Sequence, residues 1–564
     1  MPAKILPPTT AGIYPERFSD HLSFTRSRPP TYVILAILLV AGFALRIHDL
    51  GAESLSEDEL NKLQTVEDYR KNGLSGRNGE HPFLMKGLQT ASMVVAEAIN
   101  GRTASPLVSE EAALRFPIAL FGTFISLLLF LLVSELFGRS IGLIAAALRA
   151  VEPMAIGFDR IAKEDTLVLF FLLLCFLFFV KSQTTAENGN PHWLRYLWGA
   201  AASFGALMAS KYYPHLLAIL GGYYNAFLKL PNKKWSVGKP SWLKFFIVMG
   251  VAFVLLNPTI LLPDTWREML KFSSENRIGH DSYEYLGALY PNKMTAWLAG
   301  VPWTFYYVFI AVKTTIPLLL FFLVGLPLIV KRRFGDGRFF LFFWAFMWFM
   351  PFTLLGGKFT RYFTLAEPLI LIVAAVGFFV FSKWTTKWLF GENTVATVSF
   401  QAILFFGLLV IPMLNSLASG PHYRLFTNFF GGGMARAGSY FPHDEFYDMS
   451  TREITAEIAQ RARPSATVAC ETATLFEYYA KRAARNDLIF VSLSDPSAVA
   501  RLSVGDFVVN VRGRRYRSNT EYLDQLELAA KPVAEITALN VTSARVYQLD
   551  ETSLTAIRSI ASHN

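Results

Sequence analysis

The sequence predicts a polytopic, mainly α-helical membrane protein with a small α/β domain at its C-terminal end. Three observations predict it. Of 564 residues, 53% are hydrophobic and only 17% are charged, against about a quarter charged in an ordinary soluble domain. Apolar runs of about 20 residues, the length that crosses a bilayer, recur through the first three quarters of the chain. From about Ser419 onward the composition turns to that of a soluble domain.

Eleven spans are expected in order, near 31–49, 113–136, 140–157, 165–181, 193–209, 213–229, 243–262, 313–330, 339–355, 364–382 and 398–418. Residues 1–30 are polar and lack the plan of a cleaved signal, so the first span reads as a retained anchor. Short basic loops stay cytoplasmic. The stretch from Lys229 to Lys244, "KRRFGDGR" at 331–338, "KWTTK" at 383–387 and the N-terminal segment share one side, which is therefore inside. The net charge of +10 is accordingly a loop signal and not a nucleic-acid footprint. Cys175 and Cys470 form no disulfide framework and no metal spacing.

The opposite side receives residues 50–112, 157–165, 210–214, the loop 263–312, 356–361 and the tail 419–564. Within the first outer loop, "HPFLMKGLQTASMVVAEAIN" is too polar to span and suits a helix in the membrane interface. In the tail, "ATVACE", "LIFVSL" and "DFVVNV" read as buried strands alternating with helices such as "TATLFEYYAKRAA". The tail shows no motif beyond that alternation and is expected to supply no catalytic group, so that a change at Arg515 leaves turnover intact.

Four outward elements carry candidate chemistry. Glu53, Glu57, Asp58 and Glu59 lie within seven residues after the first span. "GEHPFLMKG" holds Glu80, His81 and Lys86, and "FDRIAKED" holds Asp159, Arg160, Lys163, Glu164 and Asp165. Lys211, Lys358 and Arg361 are cations on the side where cations are scarce. Each has a bland reading: a solvated carboxylate, a structural His-Pro, or acids favoured by a helix dipole. Their coincidence on one face is the stronger signal. A carboxylate can take a proton from an attacking hydroxyl, and Lys and Arg can neutralise a departing phosphate. Arg149 and Glu152, inside the third span, are spaced to pair on one helix face. No metal is required; a divalent ion would use the paired acids with His81 or His280.

An ordered series of segments resembles the GT-C glycosyltransferases, in particular the protein O-mannosyltransferases and the aminoarabinose transferase of lipid A. The segments are "LSEDE", "EHPFLMKGL", "ALRFPIALFGT", "DRIAKEDTLVLFF", "ALMASKYYPHLL", "GHDSYEYLG", "PWTFYY" with Lys313, and "KFTRYFTLAEPLI". The resemblance covers residues 31–418 as a transmembrane catalytic domain. It implies Asp58 as catalytic base with Glu59 beside it, and Asp165 with Arg160 as a second acidic motif. It further implies Lys211 with Lys358 or Arg361 on the donor phosphate, and Glu80, His81, Lys86 and His280 in site closure and support. The donor would be a polyprenyl- or dolichyl-phosphate sugar, inverted on transfer to an extracytoplasmic protein or lipid acceptor at the inner membrane. Asp58→Asn is expected to leave donor binding unchanged. Lys163 and Glu164 stand where the family is mostly apolar, and the later outer loop is too short for the sugar-binding domain of the eukaryotic members. The competing class is a transporter or flippase, which would place its charges near the bilayer midplane.

Overall fold

The computed structural model describes residues 22, 25, 28–230, 233–274, 280–293, 296–331, 334–391 and 394–561. Helix α1 (Arg28–Ile47) is followed by two helices in the loop 50–112, α2 (Glu57–Asn72) and α3 (Phe83–Asn100), and then by α4 (Glu110–Phe137). The third expected span is broken into α5 (Arg139–Val151) and α6 (Pro153–Phe158). Then come α7 (Glu164–Glu187) and α8 (Trp193–Ser210). Helices Leu217–Leu228, Lys239–Leu256, Ile316–Ile329, Gly337–Leu354, Glu367–Phe390 and Thr394–Ser419 occupy the remaining expected spans. Among the described residues, seven helices are long and apolar enough to cross a membrane. The other expected spans are shorter, broken or less apolar, and the chain is a multi-pass membrane protein.

The break in the third span has a local cause. A residue before proline is driven out of the helical region, and Glu152, preceding Pro153, is extended at φ −73°, ψ 124°. The expected Arg149–Glu152 pair is therefore not made. Arg149 instead lies 2.8 Å from Asp159 and 3.2 Å from Glu367, and Glu152 accepts from the Thr315 amide and hydroxyl. Arg46 of α1 completes this cluster, its Nε 2.8 Å from Asp159. Gly122 of α4 admits the same carboxylate, since a Cβ there would lie 2.3 Å from the Asp159 carboxyl carbon. These bonds fix the segment between α6 and α7, and with it the position of the first turn of α7.

In the loop 263–312, β1 (Ser282–Tyr285) and β2 (Ala288–Pro291) form an antiparallel hairpin. The C-terminal sheet has the order β4-β3-β5-β7-β6. The expected strands are β3 (Thr467–Cys470), β4 (Ile489–Ser492) and β5 (Phe507–Val511), with β3 parallel to both neighbours. An antiparallel pair not expected from the sequence, β6 (Ala534–Ala538) and β7 (Val541–Gln548), extends it. Its two faces carry separate apolar cores, one around Phe476 and Val509, the other around Leu526 and Tyr547.

Candidate active site

The acidic stretch after α1 is helical because Ser56 caps α2: its hydroxyl accepts from the Glu59 amide while Glu59 reaches back to the Ser56 amide, a reciprocal capping box. That geometry directs the Glu59 side chain back toward the helix start and into the protein. Its carboxylate takes two 2.8 Å bonds from Arg115 of α4 and a third from the Ala162 amide. Burial pushes the carboxyl up, and Arg115 outweighs it to hold Glu59 below its usual range. The expectation that Glu59 shares the catalysis is thereby corrected: it is a buried strut.

Asp58 and Lys62, one turn apart on α2, point the other way. Three consecutive residues at the start of α7 meet this region, each with a different partner. Lys163 lies 2.7 Å from Asp58, Glu164 lies 2.7 Å from Lys62, and Asp165 lies 2.8 Å from Lys211. Lys163 and Glu164, the apparent departures from an apolar pattern, are thus two thirds of a clasp joining α2, α7 and the end of α8. The Lys211 ammonium also sits over the rings of Tyr213 and Tyr362 at 4.8 and 5.2 Å. Burial lowers its pKa, but Asp165 outweighs burial and the group stays protonated.

The roof comes from later in the chain. Arg361, in the turn Thr360–Leu365, is 3.9 Å from Asp58, and its buried Nε and Nη1 donate no hydrogen bond. Tyr447 donates to Asp58 at 2.5 Å. Arg514 bonds Asp448 and His280, and Asp448 accepts from the amide of Glu57. Tyr447 and Asp448 both have positive φ, 45° and 62°, a conformation that costs side-chain-bearing residues about 1–3 kcal/mol each and persists only when surroundings enforce it. Asp444 accepts from Tyr283 of β1 and from the Thr360 amide, tying hairpin and roof together. The segment beyond 419, expected to supply no catalytic group, nevertheless contributes to the walls of the site. Tyr447, His443 and Arg514 line it, whereas Arg515 lines a separate cavity of about 350 Å³.

Together these residues enclose a cavity of about 670 Å³ with five cationic liners, Lys62, Lys163, Lys211, Arg361 and Arg514, against three acidic ones, Glu57, Asp58 and Glu80. Cations thus dominate the lining itself, while Glu164, Asp165 and Asp448 pair with Lys62, Lys211 and Arg514 from behind it. Burial keeps His280 and His443 neutral, pushed down to about 3 and about 4. Asp58 is the most open acid of the clasp, with its side chain 36% exposed. Burial raises its pKa, but Lys163, Arg361 and the Tyr447 hydroxyl outweigh burial and hold it well below the carboxylate range.

The cavity gathers Asp58, Glu80, His81, Lys211, His280 and Arg361 from the expected set, with Asp165 directly behind Lys211. It does not gather Lys358, whose ammonium is buried against the carbonyls of Val301 and Leu355. Burial lowers that ammonium to about 8; the expected phosphate role for Lys358 is corrected to a structural one. Lys86 likewise donates to the carbonyls of Asn78 and His81, closing the turn that carries Glu80 and His81. Arg160 donates to the carbonyls of Arg46, His48 and Asp49 at the end of α1. Among the described residues, no group of three or more His, Cys, Asp or Glu side chains is arranged to hold a metal ion.

Residues 106–261 match the family described as dolichyl-phosphate-mannose-protein mannosyltransferase, a stretch that contains the clasp residues of α7 and Lys211. Curated proteins give no sequence match. Among solved structures, the oligosaccharyltransferase of Archaeoglobus fulgidus, crystallised with a tethered acceptor peptide, aligns with a TM-score of 0.52 at 11% identity. The alignment covers 85% of this chain and 69% of that one. ArnT from Cupriavidus metallidurans, bound to undecaprenyl phosphate, aligns at 0.46 with 12% identity over 91% and 97% of the two chains. The S. cerevisiae Pmt1-Pmt2 complex, bound to its sugar donor, aligns at 0.33 with 16% identity over 47% and 36%. The likeness to the archaeal protein shows the fold: this chain has the GT-C fold, shared with that oligosaccharyltransferase.

Proposed function

We propose that the chain is an inverting glycosyltransferase that moves a sugar from a polyprenyl-phosphate donor to a hydroxyl of an extracytoplasmic protein or glycolipid. The observation that carries this reading is the meeting of one partly exposed carboxylate, Asp58, with five cationic side chains lining a single cavity. The acceptor oxygen attacks the anomeric carbon opposite the phosphate. The carbon–oxygen bond to phosphate breaks with its electron pair going to the phosphate oxygen, and the hydroxyl proton passes to the Asp58 carboxylate. Lys211 and Arg361 hold the phosphate and bind it more strongly as its charge grows, which is what lowers a barrier. The mechanism asks for no metal, because these cations supply the countercharge. The membrane presents the donor, and the short basic loops favour a cavity on the outer face of the inner membrane. A carrier would need charges exposed along a path, but the membrane-buried Arg46–Asp159–Arg149–Glu367 cluster is closed, with side chains at most 9% exposed.

The test is purified full chain in nanodiscs, offered synthetic polyprenyl-phosphate hexoses and pentoses together with envelope protein and glycolipid fractions. Release of polyprenyl phosphate that depends on Asp58 is the expected result. Absence of release from every donor, with transbilayer movement of the donor in its place, would overturn the assignment in favour of a flippase.

A further inference from the structure

The three pairs of the clasp are not equivalent. The carboxylates of Glu164 and Asp165 are 1% and 6% exposed, so removing either lysine partner strands a buried charge. Asp58 faces the cavity and is 36% exposed, while Lys163, itself 8% exposed, also lines it. Lys163 is therefore the clasp lysine whose bond can be exchanged for a ligand anion at least cost. Arg361, which also lines the cavity, reaches the same Asp58 oxygen at 3.9 Å and Asp444 at 3.7 Å, so Asp58 keeps a second cation beside it when Lys163 leaves. A lysine ammonium is a compact charge on a flexible stem, suited to changing partners.

We infer that Lys163 is a positioning residue that alternates between Asp58 and the phosphodiester of the donor, so that donor binding releases Asp58 to act as proton acceptor. The inference rests on the cavity being the donor site. The direction of the effect comes from the charges that face Asp58. These are Glu57 and Lys62 on α2, Lys163 before α7, Arg361 in the roof turn and Tyr447 beyond it. Burial alone raises the proton affinity of Asp58, and Lys163 is the largest contribution opposing it. Moving Lys163 to the phosphate therefore raises that affinity when the hydroxyl must be deprotonated. A carboxylate held permanently against an ammonium would be a poor base; one freed by the substrate is a better base only when the substrate is present.

The experiment uses the full chain in nanodiscs and farnesyl methyl phosphodiester, a probe that keeps one negative charge and takes up no proton itself. Calorimetry in two buffers of different ionisation enthalpy counts protons taken up on binding at mildly acidic pH. Wild type is expected to bind the diester with proton uptake. Lys163→Met is expected to bind about tenfold more weakly, the loss of one charge-assisted hydrogen bond, and without uptake. Asp58→Asn should bind at least as tightly as wild type and also without uptake. Lys163→Arg, which keeps the charge if the methionine variant does not fold, should bind within a few-fold of wild type. Binding by wild type without uptake, or unchanged affinity and uptake in Lys163→Met, would overturn the alternation while leaving the donor site standing. No binding of the diester by wild type would overturn the donor site itself.

Discussion

Glu59→Ala separates a strut from a catalyst. The Glu59 carboxylate is 2% exposed and receives Arg115, itself 4% exposed, through two bonds of 2.8 Å. It also receives the amides of Ala162 and Ser56 at 2.8 and 2.9 Å. Truncation leaves the Arg115 guanidinium bonded to the carbonyls of Leu50, Glu53 and Ser54, with the Glu53 carboxylate, already held by Arg424, as its remaining countercharge. Removing one partner of a buried pair costs about 3–5 kcal/mol, a large share of the roughly 5–15 kcal/mol that holds a domain folded. The orphaned Ala162 amide sits one residue before Lys163, so the clasp loosens as well. The assay is the midpoint of thermal unfolding in detergent, read beside the single-turnover rate per folded molecule. A lowered midpoint with loss of activity in proportion to loss of folded protein is the expected result. The carboxyl is held below its unfolded value, so its contribution is present at neutral and mildly acidic pH and is lost only as pH falls through the depressed value. Glu59→Ala with a wild-type midpoint, intact diester binding and a hundredfold slower transfer would refute this reasoning and return Glu59 to catalysis.

Asp58→Asn should slow transfer by about 10²–10⁴, with donor binding equal or tighter because Lys163 and Arg361 lose their competing anion; weaker binding would show that Asp58 orders the donor. Arg514→Gln should lower both the unfolding midpoint and turnover, since it strands Asp448, 1% exposed, and unties the Glu57 amide. Arg515→Gln, whose guanidinium pairs with Asp524, should leave both unchanged, and the contrast is read in one activity and melting series. Lys358→Met should lower the midpoint while leaving diester affinity within twofold, because its ammonium serves only carbonyls; a tenfold loss of affinity would restore its phosphate role.

The helices were legible because a bilayer leaves so few options: every backbone group must bond within its own segment, and composition marks the segments. The three parallel strands were legible for the same reason, as short buried apolar runs. The edge pair β6–β7 was not, since "AEITALNVTSARVYQ" alternates weakly and gains its core only by pairing with β5. Lys358 misled because an outward lysine looks like a ligand-binder. The pairing of Leu298 and Val301 with Leu354 and Gly356 closes a tight loop, and its remaining carbonyls take the ammonium. The Ser-x-x-Glu pattern at Ser56 was a readable sign that Glu59 would face the helix start. Nothing local marks Tyr447, Asp448 or Arg514, whose contacts to α2 span nearly four hundred residues or more of sequence.

The acids at the mouth of the first span raise a problem that the fold resolves by division of labour. Carboxylates in a cavity roofed by protein are costly unless each is paired. Here Glu53 goes to Arg424 and His422, Glu59 to Arg115, Glu164 to Lys62 and Asp165 to Lys211. With their charges met inside the protein, these pairs act as rigid spacers, tying the segment after α1 to residues 422–424, α2 to α4 and α7, and α7 to the end of α8. Asp58 is paired too, but its lysine and its arginine both lie open to the same cavity, so its partners are also those an incoming phosphate would seek. Position along the chain does not distinguish Asp58 from Glu59, and neither does charge or proximity to the membrane. What distinguishes them is that the bonds of Glu59 are closed off from the cavity, whereas Asp58 and both of its cationic partners line it, which is why the proposed function rests on Asp58.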